Sequence, residues 1–455
     1  MKPLSNAIMA AALALFLCTR SAHAAPPEAD IARFITAKSN QVYLATRDGG
    51  APVPPEVWKL FTAASAGDWK SATDLLRSVT VNYHVDASHR LRPDVWFRVQ
   101  DVGGFCELLS SNDQKFVRLF ADEVFKVIPP GSIYFGGTDP GRFVITALSR
   151  SHEEGQPFFT LTQNQLVDSD YLTYLHAIYR QQVKLPDQAM VKTAFDDYYV
   201  DAKRRFDHDQ QFPDEPKQVL PGEEIKTVNG QVQISGQVAV MAINGRLVHD
   251  ILNLNPGREF YIEESFPLDW MYPYLEPTGL IFKVHRSPLD SLFEETVLND
   301  REFWQRLTRR LIGHVLHDET DVAELCATAQ ELNGKPKDFQ GDPDFLRDES
   351  ARKTFSKLRS AGSGLYAWRA VHAKSSSERR TMTRAAELAF KQAFLLCPQS
   401  PEAVGRYVVY LISAHRSEDA QKIVSLSLKL SPDDDILKSW ARYTQQMSDW
   451  QKSQQ

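Results

Sequence analysis

The sequence predicts an α/β domain that follows a mainly helical segment and precedes an all-α region of helical repeats. Three observations support this fold class. Amphipathic helical stripes fill residues 25–125, and β-rich and helical stretches alternate over residues 126–330. Beyond residue 350, a set of small, large and proline residues recurs at one fixed offset along the chain.

Composition places the chain among ordinary globular proteins. Its 455 residues are 43% hydrophobic and 24% charged, and the formal net charge is −6. These values exclude disordered, collagen-like and disulfide-scaffold classes. The acidic balance argues against nucleic acid or an anionic membrane as the main partner, so we predict no nucleic-acid binding.

Residues 1–24 predict a secretory signal peptide. Lys2 precedes an apolar stretch over residues 7–18, and the small-residue end Ala22-His23-Ala24 follows. The apolar stretch is too short to cross a hydrocarbon core of ~30 Å as a helix. We therefore expect a bacterial protein that is exported to the periplasm or secreted, with no transmembrane segment in the mature chain.

Three cysteines follow the predicted signal, namely Cys106, Cys326 and Cys397. An odd and sparse set in an oxidising compartment allows at most one disulfide and cannot build a cysteine-based zinc site. No known metal or cofactor motif is present, and we predict neither a metal nor a cofactor.

Residues 25–125 are predicted to be mainly helical. Val57, Leu60, Phe61 and Ala64 form one apolar stripe at helical spacing, and residues 113–125 carry another. We expect these stripes to face a shared core.

Residues 126–330 are predicted to form the α/β domain. Residues 132–135, 158–162, 259–262 and 279–284 are β-rich, and helical stretches lie between them at about 142–150, 170–180, 238–252 and 268–275. This alternation predicts a parallel, Rossmann-like sheet with crossover helices. A polar stretch at about 207–235, with a possible hairpin at Asn229-Gly230, is interpreted as an insertion.

Residues 331–349 are rich in Gly, Pro, Asp and Lys and are predicted to be a domain linker. Residues 350–455 are predicted to be helical repeats. The positions that match at the fixed offset are Ala386, Phe390, Ala393 and Pro398 in one copy, and Ala420, Val424, Ser427 and Pro432 in the next.

The spacing of these positions has a physical reason. Small residues let two helices approach closely, the large residue between them fills the groove, and proline stops the second helix. The pattern and its offset resemble the tetratricopeptide repeat. This resemblance implies a surface that binds a protein or peptide. A plain pair of αα-hairpins without a peptide groove is the alternative.

The middle of the chain shows a second resemblance. Residues 129–139, residues 259–262 and the stretch from Tyr274 to Leu280 look like segments of the soluble α/β region of bacterial protein O-mannosyltransferase-like membrane proteins. The whole chain is similar to secreted bacterial proteins with C-terminal tetratricopeptide repeats. The resemblance transfers no catalytic residue, and the membrane spans on which such enzymes act are absent here.

Polar residues follow three of the predicted strands. Ligands of parallel α/β folds bind where the strands end, because glycines and helix N-termini offer backbone amides there. Such a site suits an anion, and its carboxylates suit a sugar, a divalent metal or an acid/base pair. The candidates are Gly137, Thr138, Asp139, Arg142, Asn164, Asp168, Asp170 and Glu263. The alternative is that Asp139 and Asp168 simply cap helices.

Three aromatic residues, Trp270, Tyr272 and Tyr274, form a second candidate surface. Aromatic rings stack on sugars and on proline-rich peptides. Alternatively, the rings belong to a short helix that covers the sheet.

No dense catalytic constellation is present, and we assign no catalytic residue. The leading hypothesis is an extracytoplasmic, non-enzymatic interaction or scaffold protein that binds a protein partner in the cell envelope through its helical repeats. The alternative is an α/β domain that binds or processes a sugar, or that binds an anionic ligand, so carbohydrate is a second candidate partner.

Overall fold

The computed structural model describes residues 28–47, 52–85, 90–220, 222–228, 231–263, 270–334, 336 and 338–453. The predicted export signal lies outside the described residues. The structure is mostly helical (68%), with a mixed five-stranded sheet. Within the described ranges, no helix is both long enough and apolar enough to cross a membrane.

Among the described residues, five α-helices build the N-terminal part, in agreement with the prediction for residues 25–125. They are α1 (Ala29–Arg47), α2 (Pro55–Ser65), α3 (Trp69–Thr80), α4 (Pro93–Ser111) and α5 (Gln114–Phe125). The carboxylates of Asp68 and Asp113 accept backbone amide protons at the starts of α3 and α5. The predicted stripe of α2 is buried in the core.

The five-stranded sheet lies in the middle of the chain. Its strands are β1 (Ile133–Gly136), β2 (Phe159–Thr162), β5 (Phe260–Ile262), β6 (Leu275–Thr278) and β7 (Ile281–Val284), in the order β2-β1-β5-β7-β6. β1 pairs in parallel with β2 and β5, whereas β7 pairs antiparallel with β5 and β6.

The prediction of a parallel sheet is therefore right for β1, β2 and β5 and wrong for β6 and β7. A two-residue turn through Gly279, whose φ is +64°, joins β6 to β7. So short a connection allows only antiparallel pairing, because a parallel crossover needs a dozen or more residues. The helix predicted at 268–275 is also replaced: Tyr272–Tyr274 forms one turn, and β6 begins at Leu275.

Short and long helices surround the sheet. They are α6 (Ile145–Leu148), α7 (Ser151–Glu154), α8 (Ser169–Tyr179), α9 (Gln188–Gln211), α10 (Gln237–Leu254) and α11 (Glu294–Ile312). The predicted hairpin is present as the antiparallel strands β3 (Glu224–Val228) and β4 (Gln231–Ser235), and its Asn229-Gly230 turn lies outside the described residues. The region predicted as an insertion therefore begins inside α9.

The C-terminal part is helical throughout. Its helices are α12 (Val322–Asn333), α13 (Pro343–Arg347), α14 (Glu349–Val371), α15 (Ser376–Leu396), α16 (Pro401–Ser413), α17 (Ser417–Leu430) and α18 (Asp435–Ser453). Helix α13 lies within the predicted linker, and its Phe345 is buried between Phe116 and Phe355. The domain boundaries stay predictions.

The last five helices stack in two layers. α14 packs against α15 and α16 against α17, while α14, α16 and α18 are neighbours in one layer. Helix α15 ends at Leu396 and α17 at Leu430, which is the same separation in sequence as that between Ala386 and Ala420. The starts of α16 and α18 are also separated by this offset. One cluster of buried apolar side chains extends from Ile31 in α1 to Leu437 in α18. The C-terminal helices therefore share a core with the rest of the chain.

Candidate functional site

The carboxyl ends of β1, β2 and β5 bring four of the predicted site residues together. Parallel strands end at the same edge of a sheet, so the residues after them become neighbours. Gly137 follows β1, Asn164 follows β2 and Glu263 follows β5. The Asn164 side chain donates to the Gly137 carbonyl at 3.1 Å, and Glu263 contacts both Gly137 and Thr138.

Glu263 is the centre of this cluster. Its side chain is fully buried, and Oε2 accepts hydrogen bonds from the backbone amides of Gly137 and Thr138, both at 3.1 Å. The Thr138 hydroxyl donates to Oε1. Burial raises the pKa of Glu263, while the bonds from Thr138 and Gly137 act in the opposite direction.

The turn after β1 is shaped around this carboxylate. A Cβ atom at Gly141 would lie 1.5 Å from Glu263 Oε2, so only glycine fits at that position. The two amides that the sequence seemed to offer to an anionic ligand thus hold a carboxylate of the chain itself. The turn after β1 therefore binds an anionic group, and that group is the side chain of Glu263.

The other predicted residues at this edge do not converge on Glu263. Arg142 donates to Gln100 Oε1 at 2.6 Å and stacks on the Phe143 ring at 4.4 Å. Asp139 is exposed and makes no capping hydrogen bond to the turn Pro140–Val144. Arg142 and Asp139 therefore do not belong to the cluster around Glu263.

Asp168 and Asp170 lie at the start of α8. Asp168 accepts from the Asp170 amide at 2.9 Å and so caps the helix, which was the alternative interpretation of this residue. The Asp170 carboxylate lies 3.9 Å from the Arg90 guanidinium at the surface. These two carboxylates are thus engaged in a helix cap and a surface ion pair.

Helix α14 lies beside the segment that follows β1. Pro140 and Val144, from the segment after β1, line one small cavity together with Thr354 and Phe355 of α14. The charge of Lys357, also on α14, opposes the rise that burial causes in the pKa of Glu263. A C-terminal helix therefore lies near this edge of the sheet.

The aromatic candidates lie beside the same helix. Tyr272 is buried and packs on Trp368 of α14 with ring centroids 5.8 Å apart. Arg369 donates to the carbonyls of Tyr272 and Pro273 at 3.2 and 2.9 Å. Tyr272 thus takes part in an internal contact.

Trp270 and Tyr274 are half-buried and lie edge to face at 6.1 Å. They keep partial access to solvent. The predicted aromatic surface is therefore divided between an internal contact and a partly open pair of rings.

A buried polar cluster between the N-terminal helices and the α/β region was not predicted. Lys38 Nζ donates to Asp101 Oδ2 and to the Tyr174 hydroxyl, both at 2.7 Å, and lies 3.1 Å from His152 Nδ1. All four side chains are buried. The sequence holds one signal of it: Lys38 continues the apolar stripe of Ile31, Phe34, Ile35 and Val42.

Burial lowers the pKa of Lys38, and the Asp101 carboxylate opposes this shift. The pKa of Asp101 is held well below its usual range because Lys38 and His152 outweigh its burial. Burial, together with the charge of Lys38, lowers the pKa of His152. The cluster joins α1, α4, α7 and α8, and we interpret it as a structural network.

The matched repeat positions lie at helix contacts in the C-terminal part. Seven of them are buried: Ala386, Phe390, Ala393, Pro398, Ala420, Val424 and Ser427. Phe390 stacks on Tyr407 of the next helix at 5.2 Å. The Ser356 hydroxyl of α14 donates to the Ala393 carbonyl at 2.7 Å, a close approach that the small Ala393 side chain permits. Pro432 is exposed just after α17.

The solvent-facing side of this region carries exposed apolar side chains. They lie on the layer of α14, α16 and α18, and they are Val371, Val409, Ile436 and Tyr443. Among the described residues, α15 and α17 expose no large apolar side chain. This asymmetry marks one layer as the surface where apolar contact is possible.

No group of three or more His, Cys, Asp or Glu side chains in the described ranges is placed to hold a metal ion. Cys106, Cys326 and Cys397 are unpaired, and burial raises the pKa of each thiol, to about 12, 11 and 11. Comparison of the chain with family models, curated proteins and solved structures finds no match. The two resemblances seen in the sequence therefore stay predictions.

Proposed function

We propose that the chain is an extracytoplasmic interaction protein that binds a protein partner of the cell envelope through helices α14 to α18. The observation that carries this proposal is that, among the described residues of these helices, the exposed large apolar side chains all lie in one layer. Exposed apolar side chains are the groups that gain most from contact with another molecule, so we infer that this layer meets the partner.

The arrangement of these helices supports a tetratricopeptide-like unit. Equivalent helix ends recur at the offset of the matched sequence positions, which agrees with the ~34-residue period of that repeat. Stacked helical repeats bind partners on one extended surface of the stack, and we infer that α14, α16 and α18 form this surface. The export of the protein rests on the signal pattern of residues 1–24.

The alternative function, a sugar- or anion-binding α/β domain, has weaker support. The Gly137 and Thr138 amides, its best donors, are taken by Glu263. Arg142, Asp168 and Asp170 face other partners.

Capture experiments with paired variants test the proposal. Val409→Asp and Tyr443→Asp place a charge in the α14/α16/α18 layer, and Ser425→Asp places the same charge on an exposed position of α17. We expect a partner from an envelope extract that binds the wild type and Ser425→Asp but is retained about tenfold less by the two layer variants.

The partner would then be purified and titrated against each variant. Equal affinity of the wild type and of all three variants would contradict the proposal. Loss of binding in Ser425→Asp alone would place the partner surface on α17 instead.

A further inference from the structure

Helix α9 has one buried and one exposed side. Val191, Ala194, Tyr198 and Ala202 are buried where α9 packs against α10 and β4. On the other side Phe195, Tyr199 and Val200 are 45%, 41% and 65% exposed. These exposed apolar side chains make this side of the helix a candidate contact surface for another molecule.

The charges on the exposed side are arranged symmetrically about the middle of the helix. Lys192 pairs with Asp196, and Lys203 pairs with Asp207, one turn further along in each case. The midpoint of the Lys192–Asp207 stretch lies between Tyr199 and Val200, which is also the midpoint of the helix Gln188–Gln211.

This symmetry has a direct consequence for two copies of α9 placed antiparallel about a twofold axis at that midpoint. Lys192 of one copy would face Asp207 of the other, and Asp196 would face Lys203. Tyr199 would face Val200 across the axis. In a parallel arrangement with the same register, each charged residue would face the same residue of the other copy, and the like charges would repel.

We propose that a second copy of this chain docks on α9, so that the protein forms a twofold-symmetric dimer through an antiparallel α9 pair. The ring of Tyr199 and the side chain of Val200 supply the apolar centre, Phe195 lies at its edge, and the four charges fix direction and register. Such an isologous contact is self-complementary and closes at two copies.

The dimensions suit a small interface. The helix has 24 residues, which gives a length of ~36 Å for the paired surface. Exposed ion pairs add little affinity individually, so the charges mainly select the antiparallel register.

Sedimentation velocity of the purified full chain tests the proposal, with circular dichroism to check that each variant is folded. We expect the wild type to dimerise at micromolar concentration. Lys203→Asp sets two like-charge contacts across the axis and should weaken the dimer about tenfold or more. Lys70→Asp is the matched control, because Lys70 forms an exposed pair with Asp74 one turn along α3.

A fourfold exchange gives the sharper test. The variant carries four substitutions together: Lys192→Asp, Asp196→Lys, Lys203→Asp and Asp207→Lys. It keeps both ion pairs within the helix, and two copies of the variant keep the opposite-charge contacts across the axis. It should dimerise with itself and form no mixed dimer with the wild type. A wild type that stays monomeric at 100 times the micromolar concentration would overturn the proposal. Equal dimerisation of Lys203→Asp and Lys70→Asp would also overturn it, and so would mixed dimers of the exchanged and wild-type chains.

Discussion

At the scale of single residues, Glu263 and Lys38 carry the largest consequences. Each is a charged group with no exposure to solvent, and each is held by several partners. Burying such a group costs free energy unless hydrogen bonds and opposite charges compensate it. Removing a partner should therefore have a larger effect than removing a surface charge.

Glu263→Ala should lower the free energy of unfolding by about 1–3 kcal/mol, because the Gly137 and Thr138 amides lose their acceptor. Urea titration measures this change. Formate or acetate should restore part of the lost stability of the variant by occupying the vacated position. Glu259→Ala, which removes an exposed carboxylate just before the same strand, is the control. Equal effects of the two substitutions would contradict this account of Glu263.

His152 should make stability depend on pH. Burial and the charge of Lys38 lower its folded-state pKa, so below the ordinary pKa of 6.5 the unfolded chain binds a proton that the folded chain does not. The contribution of His152 to the free energy of unfolding is therefore present above that pH and is lost as the pH falls. Urea midpoints at pH 7, 6 and 5 should therefore decline.

His152→Asn keeps an uncharged acceptor near Lys38 and removes the titration, so its decline should be shallower. The exposed His176→Asn should follow the wild-type slope. An identical slope for all three proteins would assign the pH dependence to other groups.

At the scale of elements, close contact between helices defines the C-terminal layers. Gly405 of α16 lies under the Trp440 ring of α18, and a Cβ atom at Gly405 would come within 2.6 Å of that ring. Trp440 in turn lies edge to face with Tyr443. Glycine at position 405 therefore sets the distance at which α18 packs.

Gly405→Ala should destabilise the chain by about 1–3 kcal/mol through overpacking, even though alanine favours a helix. The indole emission of Trp440 should shift to the red as α18 loosens, and limited proteolysis should cut there first. Gly257→Ala is the matched control, since a Cβ atom at Gly257 meets no atom within 4 Å. An unchanged cleavage pattern in Gly405→Ala would show that α18 packs elsewhere.

Local patterns predicted the helices of both ends, whereas several elements of the middle region were missed. The fixed offset of the repeat specifies spacings along one stretch of chain, and the helix ends follow it. The direction of β6 depends instead on the turn at Gly279, and its alternating burial from Leu275 to Thr278 is too short to stand out in the sequence. Helix α9 is not among the predicted elements, although Asp187 caps it.

The candidate site shows the same division. That Gly137, Asn164 and Glu263 would meet follows from the rule for parallel strands. That Glu263 would itself fill the turn depends on β5 lying directly beside β1, a contact between residues more than 120 positions apart. No local pattern encodes that distance.

At the scale of the whole molecule, α14 joins the C-terminal helices to the sheet. Arg359 of α14 donates to Asp300 of α11 at 2.8 Å, and both side chains are buried. Arg369 of the same helix holds the Tyr272 and Pro273 carbonyls. We therefore expect the sheet and the C-terminal helices to unfold together.

Arg359→Met should lower the free energy of unfolding by about 3–5 kcal/mol, because the buried Asp300 side chain loses its cationic partner. Hydrogen exchange should show the loss of protection on both sides of the contact. Adding Asp300→Asn should recover part of the loss. Arg301→Met removes an exposed Arg–Asp pair and should cost about 1 kcal/mol or less. Loss of protection confined to α14 to α18 would show that the two parts unfold separately.

The carboxylate that fills the turn after β1 also determines what an outside molecule must do there. Glu263 is a tethered competitor, and even a flexible tether gives an effective concentration of the order of mM. A free anion would have to exceed that local concentration to replace the Glu263 carboxylate. The turn is thus protected from free phosphate and carboxylate ions at lower concentrations, and it keeps its shape in their presence.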